Sequence, residues 1–387
     1  MRTDFSKLDL RRLPSLAFVV DEVAVRQNLE ILQRVQTESG AKILAALKAF
    51  SMWSLGPMIS RYLTGTCASG LYELRLGVEE YGGESHVFSA AYSEADLKTI
   101  LAIANVVVFN SFPQWQRLQP LIVDALQARP QLRFGLRINP QHSVGAVPIY
   151  DPCAPNSRLG IPLPEFAGQD LTNISGLHFH TLCEQDFKPL QRTLAVVEEK
   201  FGHLLPRMSW INFGGGHHIT RDDYQVDELI AAIKNFAERY DIQVYLEPGE
   251  ALAIGSGVLV AEVLDLLHSD INHAILNTSA TCHMPDTLEM PYRADILDAG
   301  TANEFAHRYR LGGLTCLAGD VIGDYSFNKA LQVGDRIVFT DMAHYTMVKT
   351  TTFNGTKLPA IVLWNSETDQ LTMVKEFTYD DFKNRLS

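Results

Sequence analysis

Positive charge is in short supply in this sequence. Across 387 residues, 33 lysines and arginines face 45 aspartates and glutamates, for a net charge of −12. A surface of that sign repels a phosphate backbone and suits a cationic ligand, so nucleic acid is not expected as a partner. Cysteine is scarce too. Cys67, Cys153, Cys183, Cys282 and Cys316 are scattered and odd in number. None forms a CxxC or groups with histidine at zinc spacing, so neither a metal site nor a disulfide framework is expected. Thiols used in this way fit a reducing, cytoplasmic setting. Uninterrupted apolar runs are too short to span a bilayer, which leaves no membrane partner to expect. The stretch from Met1 to Arg12 is polar and mixed in charge, unlike a signal peptide. Repeats and low-complexity tracts are missing. So are GxGxxG and P-loop patterns, which disfavours a nucleotide.

What the chain does have is a series of apolar segments of strand length. They fall at 42–47, 65–68, 86–89, 106–110, 133–139, 174–180, 210–213 and 244–247. Several are near-continuous apolar runs, as strands buried on both faces should be. Helical stretches separate them, and those at 69–81 and 222–240 carry apolar residues at 3–4 spacing. Eight strand–helix units of this size predict an α/β fold, a closed parallel (β/α)8 barrel, with an open doubly wound sheet as the alternative. After residue 258 the pattern changes. Runs at 257–267, 273–278, 336–341 and 360–363, with turns at Val333-Gly334-Asp335 and Asn354-Gly355, predict a mainly antiparallel β domain. The strand-like run 15–21 can join it. The expected organisation is a barrel over 36–260 and a β domain made of 1–35 and 261–387, with an irregular loop at 148–164.

The chemistry of such a barrel gathers at the C-terminal ends of its strands, and the residues that stand out fall there. Lys48 ends the first run. An amine that loses hydration has a lowered pKa and becomes nucleophilic, whereas a plain strand-end lysine snorkels to water. Gly214, Gly215 and Gly216 follow the seventh run. Successive glycines let backbone N–H groups approach an anion such as phosphate, or simply make a tight turn. Glu247 ends the eighth run before Pro248-Gly249. It can keep a ring nitrogen protonated, or pair with a neighbouring cation. His178 and His180 share one strand face, and one of them can stack on an aromatic cofactor. Cys316 lies in the glycine-flanked stretch from Gly312 to Asp320, where a thiol can give up a proton and a carboxylate can bind an amine. Together these segments point to pyridoxal 5′-phosphate held as a Schiff base.

The order Lys48, His180, Gly214–Gly216, Glu247, Cys316, Tyr345 resembles the fold-type III decarboxylases that use pyridoxal phosphate, which include ornithine, diaminopimelate and arginine decarboxylases. The likeness covers roughly residues 14–380 and implies an alanine-racemase-like barrel. It further implies that Lys48 carries the cofactor, His180 stacks on its ring, Gly214–Gly216 and Tyr345 hold its phosphate, Glu247 meets the pyridine nitrogen, and Cys316 protonates the product carbon. A homodimer with active sites shared at the interface comes with it. Two departures bear on the substrate. The family's Glu-Pro-Gly usually continues with arginine, but here Glu250 follows, and Thr66 stands where the ornithine enzymes have aspartate. The first points away from diaminopimelate and the second away from ornithine. Glu-Pro-Gly-Glu-Ala at 247–251, Cys-Leu-Ala-Gly-Asp at 316–320 and Ala-Leu-Lys-Ala-Phe at 46–50 resemble the carboxynorspermidine decarboxylase branch. That likeness implies decarboxylation of carboxynorspermidine and carboxyspermidine, a small cationic polyamine substrate, with another basic amino acid as substrate or a non-catalytic relative of the fold as the alternatives. Each of the polyamine's ammonium groups needs a carboxylate to offset lost hydration, and Glu250 and Asp286 are the expected ones, with Asp320 as the third choice.

Overall fold

The computed structural model describes residues 3–145 and 147–387. The chain divides into two compact units, Arg26–Leu252 and Met1–Val25 with Ala253–Ser387. Strand β1 (Ala17–Asp21) comes first and belongs to the second unit. The first unit holds β2 (Lys42–Ala46), β3 (Gly65–Ala68), β4 (Glu84–Phe88), β5 (Val106–Phe109), β6 (Arg133–Arg137), β7 (Ile174–His178), β8 (Trp210–Asn212) and β9 (Gln243–Leu246). These eight pair in parallel, each with the next, and β9 returns to β2, so the sheet is a closed barrel. The expected barrel is therefore present, with strand ends within two residues of those read from the sequence.

The barrel is a packed core. Trp210 fills its centre beside Leu44, Val106, Val108 and Tyr245. Its indole lies where a side chain on Gly176 would have to go, which is why that strand position carries glycine. The indole N–H donates to Ser175 Oγ at 3.0 Å.

Near the strands' N-terminal ends a polar network gathers on Glu84. Its carboxylate accepts from Lys42 Nζ, from Arg133 Nη2 at 2.7 Å and from Tyr245 Oη at 3.0 Å, and lies 3.1 Å from His86 Nε2. Burial resists its ionisation, but the hydrogen bonds from His86, Lys42 and Tyr245 outweigh that and hold it well below the usual carboxylate range. Glu84→Gln leaves two cations facing a neutral amide. The expected cost is about 2 kcal/mol, between surface and fully buried pairs because the side chain keeps some exposure. Urea midpoints of variant and parent measure it, and an unchanged midpoint would remove the network from the barrel's stability.

The second unit is one sheet. To β1 it adds β10 (Gly257–His268), β11 (Asn272–Leu276), β12 (Ala299–Gly300), β13 (His307–Gly312), β14 (Val321–Phe327), β15 (Arg336–Thr340), β16 (Ala360–Asn365) and β17 (Gln370–Lys375). Their order is β12-β14-β13-β11-β10-β1-β16-β17, with β15 also on β10. All pairs are antiparallel except β1–β16 and β11–β13. Ala17, Val19, Val258, Val260, Val362 and Trp364 form its core. The border expected at 260 moves back to 252 because β10 pairs with β1 from Gly257 onward and so goes with the sheet. The other border, expected at 36, falls inside the helix Glu22–Ser39. Among the described residues no helix is long and apolar enough to cross a membrane.

Candidate active site

A second set of charged groups lies at the C-terminal ends of the barrel strands. Lys48 sits two residues past β2, in the turn 47–49. Its side chain remains open to water, unlike that of a residue inside a strand. Nevertheless, the protein packed around the barrel mouth strips hydration from the amine, and Arg137 repels it, so its pKa lies below the ordinary lysine value.

Glu247 follows β9 and is gripped on both oxygens. Oε1 accepts from Asn212 Nδ2 at 2.7 Å, and Oε2 lies 3.1 Å from His178 Nε2. Burial opposes its charge. The contact with His178 and the charges of His86 and Lys48 outweigh that, and its pKa falls to about 2. For His178 burial wins: it is pushed below its ordinary value, stays neutral at pH 7, and gives its Nε2–H to the carboxylate. The ring of Phe88 stacks on His178 with centroids 5.6 Å apart.

His180 lies just past β7, and its Nδ1 accepts the Gly215 N–H at 3.2 Å. That bond places the ring proton on Nε2. Burial, with Lys48 and Arg137 nearby, keeps the imidazole neutral. The glycine run is tight. Gly214 and Gly216 have φ of +73° and +82°, and side chains at 214, 215 and 216 would meet the backbone oxygens of Phe179, Glu247 and Leu182. Only bare backbone fits this cradle. Gly214 N–H donates to Asn212 Oδ1 at 2.8 Å.

The sequence-based candidates do not all behave alike. Lys48, His180, Gly214–Gly216 and Glu247 come together at one end of the barrel. Glu250 opens the short helix Glu250–Ala253, and its Oε2 lies 3.0 Å from His218 Nε2. In the sheet unit Asp286 pairs with Lys349, which also meets Glu289 at 2.7 Å. Asp320 is only 5% exposed and accepts hydrogen bonds from Ser279, Thr281 and Thr315. Its lone pairs are spent on the chain itself, which removes it as a carboxylate for substrate. Cys316 is exposed. Tyr345 holds φ of +46°, a strained setting for an aromatic residue that costs about 1 kcal/mol and is more common at functional sites.

Sequence reasoning missed Arg137, Asn212 and His218. Arg137 is 5% exposed, its Nη2 donates to the His180 carbonyl at 3.2 Å, and its guanidinium lies 4.5 Å from the Phe88 ring centroid. Burial lowers its pKa to about 10. A signal was available, since an arginine closing the apolar run Phe134-Gly135-Leu136 is a buried charge in need of a role. A cleft of about 430 Å³ also lies beside the end of β3, lined by Ser69, Tyr72, Glu73 and Asp96 among others. Glu73 is close enough to act electrostatically on Lys48.

Residues 17–343 match the family described as pyridoxal-dependent decarboxylase, C-terminal sheet domain. This chain belongs to the pyridoxal-dependent decarboxylases. The carboxynorspermidine/carboxyspermidine decarboxylase of Campylobacter jejuni is 42% identical to it over 97% of this chain and 99% of its own. The carboxyaminopropylagmatine decarboxylase of Synechocystis is also 42% identical, over 97% of this chain and 96% of its own. A crystal structure of the Campylobacter jejuni carboxynorspermidine decarboxylase, complexed with norspermidine, superposes with a TM-score of 0.88 at 41% identity, covering 96% of this chain and all of that one. The decarboxylase fits the cofactor its family is named for: an amine of lowered pKa, a firmly ionised carboxylate and a glycine cradle closed to side chains lie at one barrel end.

Proposed function

We propose that this decarboxylase removes carbon dioxide from carboxynorspermidine and carboxyspermidine, with pyridoxal 5′-phosphate as cofactor. The observation that carries the reading is Glu247, kept as a carboxylate by Asn212 and His178 at the barrel end that holds Lys48. When bound, the cofactor supplies an electron sink for the bond between the α-carbon and its carboxylate. Lys48 anchors it through its amine. Glu247 holds a proton on the pyridine nitrogen. His180, oriented by the Gly215 N–H, gives the ring a flat neutral surface. The tight backbone of Gly214–Gly216 lets the phosphate come close; with the Gly214 and Gly215 N–H groups held by Asn212 and His180, the Gly216 N–H and Tyr345 would take it, with no arginine at position 250 to help. Cys316 Sγ delivers a proton to the substrate α-carbon after the carboxylate leaves.

The substrate assignment rests on charge. Glu250 puts an anion where an arginine would favour a second carboxylate, and Asp286 with Glu289 outnumbers Lys349. We assign Glu250 and Asp286 to the ammonium groups of the polyamine tail. The same reading makes the protein a cytoplasmic homodimer whose Cys316 loop completes the partner's site. A second substrate, carboxyaminopropylagmatine, is favoured by the equal identity to the Synechocystis relative. Its guanidinium suits a carboxylate as well as an ammonium does.

Carbon dioxide release from carboxynorspermidine, carboxyspermidine, carboxyaminopropylagmatine, ornithine, arginine and diaminopimelate tests this. Release confined to the carboxylated polyamines is expected, with the preferred one settling the order among them. Release from ornithine, arginine or diaminopimelate alone would discard the substrate argument. In the same assay Glu250→Gln is expected to raise KM about tenfold with kcat little changed, and an unchanged KM would take Glu250 out of substrate binding.

A further inference from the structure

Cys316 lies in the loop that joins β13 to β14. Gly313 N–H donates to the Asp320 carbonyl at 2.9 Å and closes the base of that loop. From there the Asp320 carboxylate turns inward. Ser279 Oγ donates to it at 2.9 Å, Thr281 N–H at 3.2 Å, Thr315 N–H at 3.1 Å and Thr315 Oγ1 at 2.7 Å. Thr315 precedes the cysteine directly, so the carboxylate ties Cys316's neighbour to the segment Ser279–Thr281. The base has no slack, since a side chain at Gly313 would come within 2.7 Å of Asp320 Cγ and of Ser279 Cα.

A second tie holds Cys316 itself. Its N–H donates to Asn354 Oδ1 at 2.9 Å. Asn354 has φ of +59° in the turn Phe353–Gly355, a conformation that favours asparagine or glycine. That turn is linked back to the helix Ala280–His283, because Cys282 Sγ donates to the Phe353 carbonyl at 3.5 Å. Ser279 caps the same helix through the Cys282 N–H. The backbone that carries an exposed thiol is thus held from two sides by a buried carboxylate and an amide that share one helical turn as their anchor.

We propose that Asp320 and Asn354 are positioning residues that aim the Cys316 thiol for proton delivery to the substrate α-carbon. The proposal rests on the reading of Cys316 as proton donor. Orientation of a reacting group is worth orders of magnitude in rate, and a loop freed at one tie loses part of it.

Asn354→Gly is the decisive variant, because glycine keeps the left-handed turn and removes only the amide. Its kcat is expected to fall about tenfold, with KM and cofactor absorbance unchanged. Asp320→Asn is expected to act in the same direction, but it also strains a buried network. Each change is then placed in a Cys316→Ala background. If the ties act through the thiol, Asn354→Gly costs nothing further there. A full, multiplicative loss in that background, or a wild-type kcat in the single variant, overturns the proposal while leaving Cys316 as donor. A wild-type kcat for Cys316→Ala itself overturns the reading of Cys316, and the proposal with it.

Discussion

Lys48→Ala is expected to abolish the visible absorbance of bound cofactor and to lower kcat by at least about a thousandfold, as the loss of an activated nucleophile does. The expectation follows from where the amine stands. It is placed by a turn just beyond β2, open enough to react, yet surrounded closely enough to hold its proton weakly. Lys48→Arg is expected not to restore function, since a guanidinium does not give up its proton at any working pH. Absorbance of the dialysed variant after adding pyridoxal phosphate, together with carbon dioxide release, measures both effects. Wild-type turnover in Lys48→Ala would end the assignment. The variant also tests the proposal that each site is shared between two subunits. Mixed with Cys316→Ala, random re-pairing of subunits makes half of the dimers hybrids with one intact site in two, so about a quarter of wild-type activity should return. No recovery on mixing would mean that Lys48 and Cys316 serve the same subunit.

Glu247→Gln is the second large effect, a fall in kcat of about a hundredfold to a thousandfold with the cofactor still bound. Glutamine keeps the shape and can still accept from Asn212, so the fold is preserved while the negative charge is lost. In the proposed reading that charge would hold a proton on the pyridine nitrogen, and His178, kept neutral by burial, could not replace it. Unimpaired turnover in this variant would show that the ring works without a protonated nitrogen. Stability provides an independent check. The folded pKa of Glu247, about 2, lies below its ordinary 4.5, so the unfolded chain binds the proton first. Its stabilising contribution is complete above pH 4.5 and is lost as pH falls through 2. Glu247→Gln should therefore lose less stability than the parent across that window. Urea midpoints taken at steps of pH report it, and parallel curves would mean that the carboxylate is not stabilised by its neighbours.

Much of this was legible from residue order. Apolar runs of strand length, each closed by a polar or glycine-rich end, announced the barrel, because strands buried on both faces write themselves as continuous hydrophobic segments. The sheet unit was less visible. Strands β12, β13, β14 and β17 were not anticipated. His307-Arg308-Tyr309-Arg310 alternates long polar and aromatic side chains, and β17 lies mostly exposed, so neither carries a strong apolar signal. The site divides along the same line. Lys48, Glu247 and the glycine run stand out because each is chemically odd for a strand end. Asn212 and His218 are ordinary polar residues until the fold brings them to Glu247 and Glu250.

The sequence by itself determined the barrel, the pyridoxal-dependent decarboxylase family and the acidic residues on which the proposed substrate rests, because period, glycine placement and charge are local properties that any fold must respect. Only the tertiary structure decided how each charge is used. Asp320 and Glu250 are both acidic and both close to a glycine-rich turn, yet one is enclosed by donors from its own chain and the other is held beside a histidine. Whether a carboxylate serves a ligand or a loop depends on which donors reach it, and those donors come from residues distant in sequence.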